Sequence, residues 1–225
     1  MISVPKLRVH NISISLDGYA AGPAQDLEHP IGVNGELLHE WALATRTFRR
    51  MLGIDAGDMN PRDAGLDDGF AASGDVGVGA TIMGRNMFGP IRGPWGSHEW
   101  TGWWGDEPPY HHPVFVLTHH PRPPIVMRGG TTFHFVADGI ESALRQAFEA
   151  AGGQDVRLGG GADTIQQYLR AGLVDEIHLV VVPVLLGSGE RLFDRLDGGP
   201  VGYECVEFVS SPSVAHARFV RVGRA

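Results

Sequence analysis

Three short stretches of this sequence carry groups that could hold an anion. Gly159-Gly160-Gly161 follows the apolar Val156 and Leu158 and precedes Ala162, Asp163 and Thr164. Glycines at a helix start leave backbone N–H groups bare, with the positive end of the helix dipole behind them, so a phosphate or pyrophosphate is the natural guest. Gly84-Arg85-Asn86-Met87 follows the run Val76–Met83, and Thr118-His119-His120-Pro121-Arg122 follows Val114–Leu117. Both set donors at strand ends, where open α/β sheets bind their ligands. Singly, each also reads as a turn or a surface charge; jointly they predict a site for a phosphorylated cofactor. The spacing is neither GxGxxG nor GxxxxGK[ST], so the Rossmann fingerprint and the P-loop are both absent.

Other chemistries find less support. His111-His112 and His119-His120 invite a metal, but adjacent histidines on a strand point to opposite faces and no cysteine or carboxylate pair is spaced to complete a set, so no metal is expected. No GxSxG elbow for a hydrolase occurs. Cys205 is the single cysteine; it reads as a small buried hydrophobe in a C-terminal strand.

The elements that must position these residues follow from periodicity. Leu7–Leu16 alternates as a strand, with a turn at Asp17-Gly18. Asn34 can cap a helix whose Leu37, Leu38, Trp41, Thr45, Phe48 and Leu52 form one apolar stripe. Residues 53–79 read as a long loop with a short helix over Leu66–Ala72. Residues 90–113 form an insertion with Trp95, Trp100, Trp103, Trp104 and Tyr110, either a cap on the core or a lid over a flat heterocycle. After the strand Thr131–Val136, Asp138 and Glu141 suggest a capping box for a helix bearing Ile140, Leu144 and Phe148. Ile165, Tyr168, Leu169 and Leu173 then form one helical face, and Ile177–Leu186 reads as a strand covered on both sides. Strand, helix and strand here imply a parallel crossover. Tyr203–Val209 and Val214–Val222 make a C-terminal antiparallel hairpin. The expected fold is a mixed, mostly parallel α/β sheet flanked by helices, in a single domain over residues 1–225.

A formal charge of −8, from 26 acidic against 18 basic groups, argues against a broad nucleic-acid or anionic-membrane surface. The first sixteen residues run into a strand pattern without a signal architecture, and the longest apolar run, Leu179–Leu186, falls well short of a bilayer span. A cytoplasmic protein is expected.

The order of motifs resembles the dihydrofolate reductase-like superfamily, and within it the C-terminal reductase domain of the bifunctional riboflavin-biosynthesis deaminase/reductase. SISLDGYAA is similar to that group's first strand and turn, TIMGRNMF to the MGRxTW/F element of dihydrofolate reductases, VLTHHP to an LSSQP element, and RLGGGADT to the GGG turn. AGLVDEIHLVVVPVLLGSGERLF resembles the riboflavin-type AGLVDEL…PVLLGGG…LF. The resemblance implies NADP(H): Gly84, Arg85, Asn86 and Met87 along the cofactor phosphates, and Thr118, His119, His120 and Arg122 around the 2′-phosphate. It further implies Leu158, Gly159, Gly160, Gly161, Ala162, Asp163 and Thr164 around the pyrophosphate, with Ser13 and Ala20 near the nicotinamide. It implies reduction of a small heterocycle, as by 5-amino-6-(5-phosphoribosylamino)uracil reductase or dihydrofolate reductase, and a homodimer. A nucleotide-binding protein without turnover, or a scaffold, is the alternative. Dihydrofolate reductases place a proton-donating carboxylate on the helix after the first strand, which makes Glu36, His39 and Glu40 candidates here, with Asp17 behind them. Riboflavin-type enzymes typically carry Glu-Cys-Gly or Glu-Gly-Gly where this chain has three glycines, and their T-x-L-x-D segment and zinc-bearing deaminase domain have no counterpart in it.

Overall fold

The computed structural model describes residues 4–54, 65–96, 100–196, 199 and 201–223. Its frame is a nine-stranded sheet in the order β10-β11-β8-β1-β7-β3-β4-β6-β5. The strands are β1 (Leu7–Ser15), β3 (Val78–Gly84), β4 (Pro113–Leu117), β5 (Ile125–Val126), β6 (Thr132–Val136), β7 (Asp155–Gly160), β8 (Glu176–Val182), β10 (Tyr203–Ser210) and β11 (Ala215–Arg221). Six central strands from β8 to β6 run parallel, while β11, β10 and β5 are antiparallel at the edges. A two-stranded sheet pairs β2 (Tyr19–Ala21) with β9 (Glu190–Arg191).

One face of the sheet is covered by α5 (Ile140–Ala150) and α6 (Ala162–Arg170). Val156 and Leu158 of β7 pack there in one buried cluster with Ala143, Ala147, Ile165 and Tyr168. The other face is covered in two separate pieces. Over β8 lie α1 (Glu40–Leu43), α2 (Arg46–Met51) and α3 (Gly65–Ser73), whose Trp41, Ala42 and Ala71 meet Val180 and Val182. Over β3, β4 and β6 lie α4 (Arg85–Phe88) and the aromatic insertion, with Phe88 and Trp95 against Met83, Val116 and Phe133. Between these pieces the middle strands β1 and β7 have one face without a helix on it. Leaving such a face without a helix forgoes apolar burial at the centre of the sheet.

A buried polar chain fixes α3 to the sheet. The Asn11 amide donates to His178 Nδ1 at 3.4 Å, which leaves Nε2 as the protonated nitrogen of that ring. His178 Nε2 then donates to His216 Nδ1 at 3.0 Å, and His216 Nε2 donates to Asp67 Oδ1 at 2.9 Å. Phe70 stacks on both imidazoles. Asn11 sits at φ +58° where the β1 register shifts against β8, so the strand bulges beside the uncovered face.

Several local expectations are corrected. The continuous helix from Asn34 to Leu52 is instead a 3-10 turn, Gly35–Leu38, followed by α1 and α2. Thr45 breaks it: its hydroxyl donates to the Ala42 carbonyl at 2.6 Å and accepts the Phe48 amide at 3.2 Å, starting a new helix. Asn34, at φ +61°, makes no capping bond. The capping box at Asp138 and Glu141 does not form; Gly139, at φ +98°, precedes α5, and Asp138 accepts the Ser142 hydroxyl instead. β8 ends at Val182, so residues 183–186 are loop, because Pro183 has no N–H for the ladder. β7 and β8 are parallel as expected, yet β1 lies between them. Cys205 is exposed, on the edge strand β10. Of the expected 53–79 loop, residues 55–64 lie outside the described residues, and α3 follows them.

Candidate active site

Two neighbouring cavities open at the C-terminal end of the parallel strands. The larger, about 350 Å³, has the uncovered face of β1 and β7 as its floor, with His10, Asn11, Ile12, Arg157 and Gly159. Phe48 and Met51 of α2 wall one side, and Trp103, Trp104 and Tyr110 of the insertion wall the other. The smaller, about 220 Å³, lies between the ends of β3, β4 and β6 and the start of α6, and is lined by Gly84, Arg85, Thr118, His119, Asp163 and Thr164 among others. Asn86, Gly161 and Glu190 line both.

The glycine turn is the shared wall. Gly160 has φ +129°, a backbone that side chains rarely adopt. An added Cβ on Gly159 would stand 3.3 Å from Met87 Cε, and one on Gly84 would collide with Thr164 Oγ1. α6 begins at Ala162 with no side-chain cap, so its first N–H groups are left without a side-chain acceptor. In the smaller cavity Arg85 donates to Thr118 Oγ1 at 2.8 Å and to the Gly93 carbonyl at 2.9 Å, and its guanidinium lies 3.2 Å from the Trp95 ring centroid. Its Nε is buried without a partner, and no carboxylate among the described residues pairs with it. Burial, with Arg122 and Arg92 nearby, lowers its pKa to about 10, so it remains a cation at neutral pH. An uncapped helix start, a turn that no side chain crowds, and an arginine without an ionic partner fit the phosphates of a dinucleotide.

Most of the sequence-derived cofactor residues line these cavities: Ala20, Gly84, Arg85, Asn86, Met87, Thr118, His119, Gly159, Gly160, Gly161, Ala162, Asp163 and Thr164. Four others lie outside both linings. Ser13 is buried, its hydroxyl accepting Trp41 Nε1 at 2.9 Å. Leu158 is core, because its side chain points to the α5 and α6 side of β7. His120 offers its carbonyl to Trp95 Nε1, and Arg122 donates to the Trp100 carbonyl and lies over Trp95 and Phe135.

The proton-donor candidates separate sharply. Glu36 and Glu40 are solvent-exposed and line neither cavity, because the broken helix turns them outward. His39 does line the larger cavity, and burial lowers its pKa, so the imidazole is neutral. Asp17 accepts from Ser15 Oγ at 2.5 Å and from the Leu186 and Gly187 amides, which hold its carboxyl down to about 2. It pins the β1–β2 turn to the 183–187 loop and carries no proton to give. Of the paired histidines, His111 Nδ1 donates to the Gly129 carbonyl at 2.7 Å and His112 Nε2 shares a hydrogen bond with Thr81 Oγ1 at 2.8 Å; no cluster of three or more metal-ligating side chains occurs among the described residues. Within the insertion Trp95 is core, as a cap on the core requires, while Trp103 and Trp104 line the larger cavity. Glu190 escaped the sequence reading, because only the β2–β9 pairing brings it opposite Ala21 and the glycine turn.

Comparison with known proteins adds a family. A family model described as the RibD C-terminal domain matches residues 5–210. An uncharacterized protein, YyaP of Bacillus subtilis (strain 168), is 49% identical over 41 residues, 18% of this chain and only 22% of that protein's length. A candidate riboflavin biosynthesis protein from Shewanella sp. PV-4 superposes with a TM-score of 0.57 at 21% identity, covering 98% of this chain and 100% of that one. A diaminohydroxyphosphoribosylaminopyrimidine deaminase/5-amino-6-(5-phosphoribosylamino)uracil reductase from Thermotoga maritima gives a TM-score of 0.57 at 14% identity, over 97% of this chain and 57% of that one. These superpositions show a shared dihydrofolate reductase-like fold. No helix of the described residues is long and apolar enough to cross a membrane.

Proposed function

Because the chain belongs to the RibD C-terminal domain family, we propose that it is an NADPH-dependent reductase of a small planar heterocycle. The observation that carries this reading is the glycine turn at the uncapped start of α6, which walls both cavities at once. A dinucleotide laid across it would have its adenosine end in the smaller cavity and its nicotinamide in the larger. Bound there, the reduced nicotinamide supplies a hydride; the protein's share is binding and orientation. Gly159–Gly161 and the first N–H groups of α6 would hold the pyrophosphate, and Arg85 with Thr118 and His119 a 2′-phosphate. Phe48, Met51, Trp103 and Trp104 give a flat ring two apolar walls.

Loss of NADPH absorbance with a panel of pteridines, quinones and aminopyrimidines tests this reading. Turnover of at least one class is the expected result. Stabilisation by NADPH without turnover of any would instead mark a nucleotide-binding protein, and no stabilisation at all would mark a scaffold.

A homodimer belongs to the same proposal. The run Val180–Leu186 contributes less free apolar surface than its composition promises, since Val180 and Val182 are buried under α1–α3. Exposed apolar groups remain at Leu185 of that run and at Val206 and Phe208 of the edge strand β10, which are 74%, 50% and 72% exposed. Sedimentation at micromolar concentration should show a species of twice 24.2 kDa; a monomer alone counts against it.

A further inference from the structure

Glu190 stands where the two cavities meet. It lines both, its Oε2 would lie 3.9 Å from a Cβ on Gly161, and the pairing with Ala21 holds it there. Among the described residues no hydrogen bond or ion pair engages its carboxylate. Of the other titratable groups of the cavities, Arg85 and His119 line only the smaller one, where a 2′-phosphate is proposed above; Asp75, Arg157 and Asp163 are bound to other side chains, and burial fixes the protonation of the rest. Asp75 is bound to Arg157 at 2.6 Å. Asp163 accepts from Gln167 and faces Arg195 at 3.4 Å. Burial lowers His10 to about 4 and lowers His39 as well, so both are neutral. Tyr110, raised by burial, keeps its proton throughout.

We propose that Glu190 is the proton donor of the reduction and that the cofactor's phosphates load it. In the free protein the positive end of α6 lies beside Glu190. Phosphates seated on the glycine turn absorb that field and set negative charge beside Glu190, which favours its protonated form. The substrate then gains a hydride at carbon, from the reduced nicotinamide, and the Glu190 proton at the adjoining nitrogen or oxygen. C=N or C=O becomes CH–NH or CH–OH, and the carboxylate left behind recovers a proton from water when reduced cofactor next binds. The inference rests on the reductase reading above.

NADPH affinity, read from quenching of tryptophan fluorescence across about pH 5 to 8, tests it without any substrate. In the wild type, affinity should weaken by up to about tenfold per pH unit across the window in which binding takes up the Glu190 proton. Glu190→Gln should lose that part of the slope and bind NADPH at least as tightly as wild type at the alkaline end, while Glu190→Asp should restore the slope. Equal slopes in wild type and Glu190→Gln overturn the assignment and leave the cofactor site standing. Absence of quenching in every protein overturns the reductase reading and this inference with it. If Glu190→Gln does not fold, proton uptake by the wild type in weak buffer decides: no uptake on adding NADPH overturns the proposal.

Discussion

Replacing Arg85 by alanine should weaken NADPH ten- to hundredfold and leave NADH nearly untouched. The guanidinium is held in place by Thr118 Oγ1, the Gly93 carbonyl and the Trp95 ring, while Nε has no partner. The positioning is therefore complete before a ligand arrives. A charge-assisted contact of this kind contributes about 1.5–3 kcal/mol, which is roughly the factor stated. Trp95 is a buried part of the aromatic cluster, so Arg85→Ala also removes a stacked cation from a core ring. That secondary loss falls on stability and not on the choice of cofactor; the difference between NADPH and NADH isolates the phosphate contact. Titrating both dinucleotides into wild type and Arg85→Ala is the measurement, and equal weakening of the two would remove the 2′-phosphate from this cavity. Arg85→Lys should recover only part of the selectivity, because an ammonium neither forks to two acceptors nor stacks flat on the indole.

Mild acid should unfold the protein. Burial lowers His178 to about 2, and lowers His10 and His112 to about 4. These shifts are depressions of a basic group, so the native state refuses protons that the unfolded chain accepts below its ordinary histidine value near 6.5. Stability is therefore fully present above about pH 6.5 and falls as the pH drops towards 4. His178 and His10 alone remove about 1.4 kcal/mol each per pH unit once well below 6.5. Two pH units then cost on the order of 5 kcal/mol, the whole stability of many domains. Geometry agrees with the direction. An added proton on His178 would fall on Nδ1, against the Asn11 amide that donates to it. Urea midpoints at about pH 7.5, 6 and 5 give the slope. A flat profile would mean that these imidazoles find water or a counter-charge when protonated. His10→Phe should flatten the profile by one proton's share, since that ring lies beside the chain and not within it.

Much of this architecture was legible because its signals are local. The glycine turn, the apolar runs and the strand-end motifs each occupy a few consecutive residues, and all three strand ends do converge on two adjoining cavities. What could not be read depends on distant partners. Ser13 and Leu158 sit within recognisable motifs, yet their side chains point to Trp41 and to the α5–α6 layer, a choice made by strand pairing. The apolar stripe from Leu37 to Leu52 has helical spacing, but Thr45 starts a fresh helix within it, and Glu36 and Glu40, candidates for the proton donor, turn to solvent. Cys205 is exposed because β10 is an edge, which composition cannot reveal.

The open stretch of β1 and β7 would make a bound cofactor and substrate a missing layer of the protein itself. The strands on either side of it are covered on this face by the protein's own chain; here a cofactor ring and its reaction partner would complete the sandwich. Occupancy therefore adds cohesion at the centre of the fold and not at its rim, and an empty protein is loosest where it works. The two flanks that frame the gap come from separate segments, α1–α3 on one side and the tryptophan insertion on the other. Changes at Phe48, Met51 or Trp103 can reshape what is admitted without shifting a single strand against its neighbour. On the proposed reductase reading, a sheet of this kind would keep its chemistry constant while its choice of acceptor drifts.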